Sequence, residues 1–151
     1  MKKFEFQLQR LLDMREAKEM EIKNELAAVV GRQNAERVKQ DELRSTIKTL
    51  GSKLREDWRA GKVDSAVALL YGRYEDQAMR AIESAEKKIT ALDPEVSAVR
   101  GRLVEASKEK KVVEKLKERK LEEYNLDFSR QMAKENDDIN QKIYLRRWNI
   151  F

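Results

Sequence analysis

Two serine–lysine pairs are the features of this sequence that most resemble a catalytic motif. Ser84 with Lys87 and Ser107 with Lys110 each have the Ser-x-x-Lys spacing of enzymes that form an acyl-serine intermediate. The chain has no cysteine and no histidine, which excludes thiolate nucleophiles, imidazole metal ligands and histidine acid–base catalysis. Both pairs lie in charged stretches with helical periodicity and no sign of a pocket, so we interpret the spacings as chance.

The carboxylates of the segment KENDD are the other group that could bind a ligand. Glu135, Asp137 and Asp138 could hold a divalent cation, but neighbouring side chains on a helix diverge, which favours a solvated or partner-facing cluster. The sequence also has no glycine-rich phosphate loop. We therefore expect no catalytic residue, no metal and no cofactor, and conclude that the chain is not an enzyme.

The composition favours long helices over a compact globular core. Charged residues make up 40% of the chain and aromatic residues 7%, and one proline and five glycines interrupt it. The 33 basic residues are interleaved with 28 acidic ones, which weakens the long-range field that a nucleic acid would experience. The sequence shows no secretory signal, and its longest apolar run, residues 66–71, is too short to span a membrane. We expect a soluble, cytoplasmic protein.

Heptad spacing predicts a first helix with one apolar face. Its two seam columns are Leu12, Leu26, Ile47 and Leu54, and Leu8, Ile22, Val29, Leu43 and Leu50. Polar residues interrupt the seam at Arg15 with Glu19, and at Gln33, Glu36 and Gln40. Such polar layers either fix the register of a coiled coil and mark where it opens, or are simply tolerated.

The segment around Gly61 predicts a turn, and Asp64 or Ser65 can cap the helix that follows. Gly72 is a second soft point, so residues 64–71 can form a short separate helix. The return helix has seam columns Ile82, Ile89, Val96 and Leu103, and Ala85, Leu92, Val99 and Ala106. Because the heptads pass through Pro94 without a phase shift, we favour a kink there over a chain reversal.

After Val113 the apolar frame shifts. Lysines occupy the former seam, and a new stripe consists of Leu121, Tyr124, Phe128, Met132, Ile139 and Ile143. At ~1.5 Å per residue the two helices would be ~80 Å and ~120 Å long, so the second must extend past the first. We expect the uncovered stripe to contact another chain.

These patterns predict an all-α fold, a long antiparallel two-helix coiled-coil hairpin forming a single domain over residues 1–151. Helix 1 is expected over about 4–58, the bend over about 59–72 and helix 2 over about 73–145. The tail is both aromatic and basic and consists of Tyr144, Arg146, Arg147, Trp148, Ile150 and Phe151. Such a tail is typical of membrane-interface or nucleic-acid segments, but a protein groove or fraying explains it better.

The opening FEFQLQRLLDMREAKE, residues 4–19, resembles that of the flagellar FliJ family. Members begin with alternating aromatic residues, a leucine pair and an Arg-Glu before a long helix. Similar features follow: a break near residue 60, a Y..Y...A..AI run from Tyr71 to Ile82, and the pair Asp137 and Asp138. The resemblance implies a central-stalk-like component of the flagellar type III protein export apparatus, at the periphery of the inner membrane.

The resemblance also implies partners. They are the export ATPase hexamer (FliI-like), the cytoplasmic domain of the export gate (FlhA-like) and export chaperones. The gate contact maps onto an exposed face with Tyr74, Ala78, Ala81 and Ala85, although Ala78 and Ala85 also fit the seam and close helix packing. We predict that a group of apolar residues at the open end of the hairpin clamps the helix pair or enters the ATPase pore. The group consists of Phe4, Phe6, Tyr124, Phe128 and Met132.

Three alternatives remain open. The chain could be the stalk of a virulence injectisome or a generic coiled-coil scaffold. It could also bind nucleic acid through the lysine-rich segment 108–120 and the tail, although the mixed charge argues against this.

Overall fold

A computed structural model of the chain describes residues 2–149. Ile150 and Phe151, which the sequence analysis assigns to the tail, lie outside the described residues. The fold consists of two helices, α1 (Gln9–Arg59) and α2 (Ser65–Trp148), and residues 2–149 contain no strand. The all-α class and the antiparallel two-helix hairpin are confirmed.

The chain divides into two compact units, and both helices contribute to each. Among the described residues, the first unit comprises 2–20 and 104–149, and the second comprises 21–103. Contacts in each unit pair an early residue of one helix with a late residue of the other. In the first unit Gln9 contacts Lys117, and in the second Glu25 contacts Arg102. The expectation of a single domain stays a prediction.

The apolar core of each unit is a thin seam between the two helices. In the second unit the buried apolar residues are Ile22, Val29, Ala78, Ile82, Ala85, Ile89, Val96 and Val99. In the first unit they are Leu12, Ala106 and Val113. Most of these positions belong to the predicted heptad columns, because residues three and four apart share one face of a helix. Each buried valine or isoleucine contributes about 1.5–3 kcal/mol.

The end of α1 is closed by a Schellman motif. Gly61 has a φ of 69° and donates its amide to the carbonyl of Trp58 over 3.1 Å. The amide of Lys62 reaches the carbonyl of Asp57 over 2.9 Å, which completes the motif. Asp64 precedes the first residue of α2, and its carbonyl accepts the amide of Ala68 over 3.2 Å. The predicted turn at Gly61 is confirmed.

The connection between the helices is shorter than the sequence indicates. It covers residues 60–64, whereas the predicted bend covers about 59–72. The expected second break at Gly72 and a separate helix over 64–71 are wrong, because α2 runs from Ser65 through Gly72 without interruption. One glycine lowers the stability of a helix by only about 1 kcal/mol relative to alanine, so the flanking residues can keep the helix continuous.

Pro94 lies inside α2 and does not reverse the chain. A proline has no amide hydrogen, so the carbonyl of Thr90 loses its helical donor. Both Pro94 and Thr90 are exposed, and water can bond that carbonyl. The choice of one continuous helix over a reversal is therefore confirmed.

Replacing Gly61 with alanine should destabilise the fold by about 1 kcal/mol, because an L-residue is strained at positive φ. Gly31 is the matched control: it lies within α1, and nothing would contact an added Cβ within 4 Å. Gly31→Ala should stabilise by about 0.5–1 kcal/mol. Urea unfolding of both variants tests this, and a shift of the same sign in both would contradict the assignment of Gly61.

Candidate partner-binding surface

The N-terminal segment, residues 2–8, packs against α2 instead of extending α1. The ring of Phe4 lies 5.5 Å from that of Tyr124, at an interplanar angle of 55°. The hydroxyl of Tyr124 donates to the carbonyl of Lys2 over 2.8 Å, and the ring of Phe128 stacks 6.3 Å from that of Tyr124. The predicted start of helix 1 at about residue 4 is therefore wrong, because α1 begins at Gln9 and both Phe4 and Phe6 precede it.

A groove of about 440 Å³ lies between this segment and α2. Phe4 and Phe6 are both half-buried along it. Its other main lining residues are Leu8, Leu116, Lys120, Glu123, Tyr124 and Asp127. Aromatic and apolar walls with charged rims are typical of a protein-binding surface. The structure thus brings together Phe4, Phe6 and Tyr124, three of the predicted site residues.

Beyond Tyr124 every described residue, 125–149, is exposed, and we name this part of the chain, the end of α2 with Asn149, the overhang. The exposed fractions of its apolar stripe are 43% for Phe128, 41% for Met132, 53% for Ile139 and 48% for Ile143. Spacings of four, seven and four residues place the four side chains on one helix face. Within the described chain nothing buries this face, so it is available to a partner.

The structure corrects part of the predicted gate contact. Ala78 and Ala85 are only 4% exposed, so the expectation that they lie on an exposed face is wrong. Both pack in the seam, where a small side chain lets two helices approach closely. Tyr74 is half-buried and Ala81 is exposed, so these two remain accessible near the bend.

Exposed apolar residues near the bend were missed by the sequence reasoning. Trp58, Leu69 and Leu70 are all exposed. The available signal was the apolar run 66–71, which is longer than one face of a helix can bury. A run of six residues goes around the helix more than once, so some of its members must face solvent.

The two buried glutamines of α1 make equivalent contacts. The side-chain amide of Gln33 donates to the carbonyl of Ile89 over 3.1 Å and to a carboxylate oxygen of Asp93 over 2.7 Å. The amide of Gln40 donates to the carbonyl of Ile82 and to Glu86, both over 3.0 Å. Both glutamines reach a carboxylate only in this register, because a slip of one heptad would place Met79 or Arg100 opposite one of them. This supports the register interpretation of the polar layers over simple tolerance.

A charged layer occupies the seam of the first unit. Arg15 and Lys18 bond Glu109, and Lys110 lies 3.0 Å from the buried carboxylate of Glu19. The hydrogen bond from Lys18, together with the positive charge of Arg15, lowers the pKa of Glu109. The hydrogen bond to Glu19 raises the pKa of Lys110. Glu109 thus stabilises the fold above about pH 4.5, and Lys110 does so below about pH 10.5.

The Ser-x-x-Lys pairs lack a suitable base. A lysine must lose its proton to activate a serine, yet the raised pKa of Lys110 favours the protonated form. Lys87 lies 3.7 Å from Glu83 in a salt bridge, so its ammonium group already pairs with a carboxylate. Among residues 2–149, Asp and Glu form no group that could hold a metal ion. No helix in that range is long and apolar enough to cross a membrane.

Comparison with known proteins gives one finding. The family model described as "Flagellar FliJ protein" matches residues 4–149. Searches of curated proteins and of solved structures gave no match. The matched range includes Phe4 and Phe6, the connection between the helices and the overhang.

Glu109→Gln should remove an acid-sensitive part of the stability. The folded-state pKa of Glu109 is lowered, so its contribution is complete above about pH 4.5 and disappears as the pH falls through the folded value. The free energies of unfolding of wild type and variant should therefore differ at neutral pH and converge in acid, as the pH falls through the lowered pKa of Glu109.

Glu122→Gln is the matched control, because Glu122 is an exposed α2 carboxylate with no salt bridge to any described residue. The urea unfolding of Glu122→Gln should match that of wild type at neutral pH and in acid. A Glu109→Gln difference that persists unchanged in acid would contradict the role given to this carboxylate.

Proposed function

The chain belongs to the flagellar FliJ protein family and is a component of the flagellar export apparatus, and we propose that it is the non-enzymatic stalk that binds and stimulates the export ATPase ring. One observation carries this proposal. The overhang presents an apolar stripe that continues along α2 past the part of the helix covered by its own chain.

The chemistry of the stripe supports a protein partner. Four large apolar side chains at helical spacing, each 41–53% exposed, are unfavourable in water. An amphipathic helix of this kind binds by placing its apolar face in a groove or hole of another protein. A ring with an axial opening offers such a hole and covers the stripe along its length.

The N-terminal segment supplies the second part of the contact. Phe4 and Tyr124 hold residues 2–8 against α2 where the overhang begins. The half-buried Phe6 lies in the same groove. In the proposed complex these aromatic residues widen the stalk at the base of the overhang and enter the ring with it, or clamp the helix pair beneath the ring.

The remaining partners follow from family membership. We propose that the cytoplasmic domain of the export gate (FlhA-like) contacts Tyr74 and the exposed Ala81, and that export chaperones bind the same protein. The gate contact would hold the chain at the periphery of the inner membrane. The match to a flagellar family favours this system over a virulence injectisome. Loss of swimming on deletion is the expected result.

The double variant Phe128→Ala with Met132→Ala should bind the cognate ATPase roughly 10-fold more weakly and lose most of the stimulation. Its circular dichroism should match wild type, because both side chains are exposed. Met14→Ala with Met79→Ala is the control, since it removes two exposed apolar side chains elsewhere. Equal loss in both double variants would contradict the proposal.

Phe4→Ala with Phe6→Ala should weaken ATPase stimulation while leaving helicity nearly intact, because residues 2–6 are not helical. Ring assembly and the hydrolysis rate are the measurements. If wild type changes neither, the stalk proposal fails and the scaffold alternative is favoured.

A further inference from the structure

The solvent-facing side of α2 in the first unit carries a row of four cations, Lys108, Lys111, Lys115 and Arg119, which we name the cationic stripe. All four are exposed. Spacings of three, four and four residues place them on one helix face over ~16 Å. The buried Ala106 and Val113 lie on the opposite face. The seam therefore does not use the stripe.

This part of α2 holds most of the excess charge of the protein. Residues 108–120 contain seven basic and three acidic side chains, a net charge of +4 out of +5 for the whole chain. The other three basic residues of 108–120 have partners. Lys110 bonds Glu19, Lys117 donates to Gln9 and Lys120 pairs with Glu123.

The stripe itself is largely unpaired. Lys108 lies 3.5 Å from Glu105, whereas Lys111, Lys115 and Arg119 make no salt bridge with any described residue. Like charges three or four residues apart destabilise a helix, and the stripe contains three such pairs in succession. The fold gains nothing from this arrangement, and local conflicts of this kind mark functional surfaces.

We propose that the cationic stripe is an electrostatic docking surface for an acidic protein surface; that this surface belongs to the ATPase ring rests on the proposed function. The exposed Val104 and Val112, 52% and 68% exposed, share the face and supply the apolar contact that protein interfaces combine with charge. Glu118 and Glu122 flank the stripe. They would repel a continuous phosphate backbone but leave room for discrete carboxylates between them.

Such a surface acts mainly on the rate of association. Opposite charge steers the encounter of two proteins and increases the association rate at low salt, and added salt removes the increase. The apolar stripe of the overhang would instead determine how slowly the complex dissociates. The two surfaces are therefore separable by kinetics.

The test is the quadruple variant Lys108→Gln, Lys111→Gln, Lys115→Gln and Arg119→Gln. Its association rate with the cognate export ATPase should fall roughly 10-fold at low salt and depend less on salt than that of wild type. The control is Lys48→Gln, Lys53→Gln, Arg80→Gln and Lys88→Gln, which removes the same charge from exposed, unpaired positions of the second unit. Identical rates and salt dependence in the two variants would overturn the proposal.

A second arm separates this inference from the proposed function. If wild type does not bind the ATPase, the stalk proposal fails. Binding of the wild-type protein and of both variants to poly-L-glutamate then tests the cationic stripe. Salt-sensitive binding that is lost in the stripe variant and kept in the control supports the inference. Equal binding by the two variants overturns it, as does tighter binding of wild type to duplex DNA than to poly-L-glutamate at moderate salt.

Discussion

The unequal length of the two helices is the constraint on which the rest of the structure depends. α1 has 51 residues and α2 has 84, so α2 contains 33 residues more than α1 can cover one for one. A two-helix seam is also too thin to enclose a side chain completely, and no described residue is fully buried. Stability therefore comes from many partly shielded contacts, and the described chain leaves the far end of α2 exposed.

Polar layers give this thin seam its specificity. A purely apolar two-helix seam can slide by a heptad at little cost, because each step replaces one aliphatic contact with another. Gln33 and Gln40 prevent this, since each requires a backbone carbonyl and a carboxylate at defined positions of α2. These contacts fix which residues of α1 and α2 lie opposite one another in the second unit.

The sequence predicts the seam well and the chain ends less well. Heptad spacing is a strong signal because burial repeats every turn, and it identified most of the buried core, although Leu8 and Leu50 of the predicted columns are exposed. Local signals were weaker. Gly72 can break a helix in isolation, but α2 continues through it. Phe4 lies before the first residue of α1, and its ring packs on Tyr124, a contact distant in sequence that heptad spacing does not reveal. The burial of Ala78 and Ala85 depends on which face meets α1, and the family resemblance alone does not specify that face.

The central claim is that the overhang is the surface that binds the export ATPase. Hydrogen–deuterium exchange of the full chain, alone and with its cognate export ATPase, tests it most directly. Amides of residues 125–149 should exchange faster than those of the seam in the free protein and become strongly protected in the complex. Unchanged exchange over this range, with new protection appearing only elsewhere, would contradict the account.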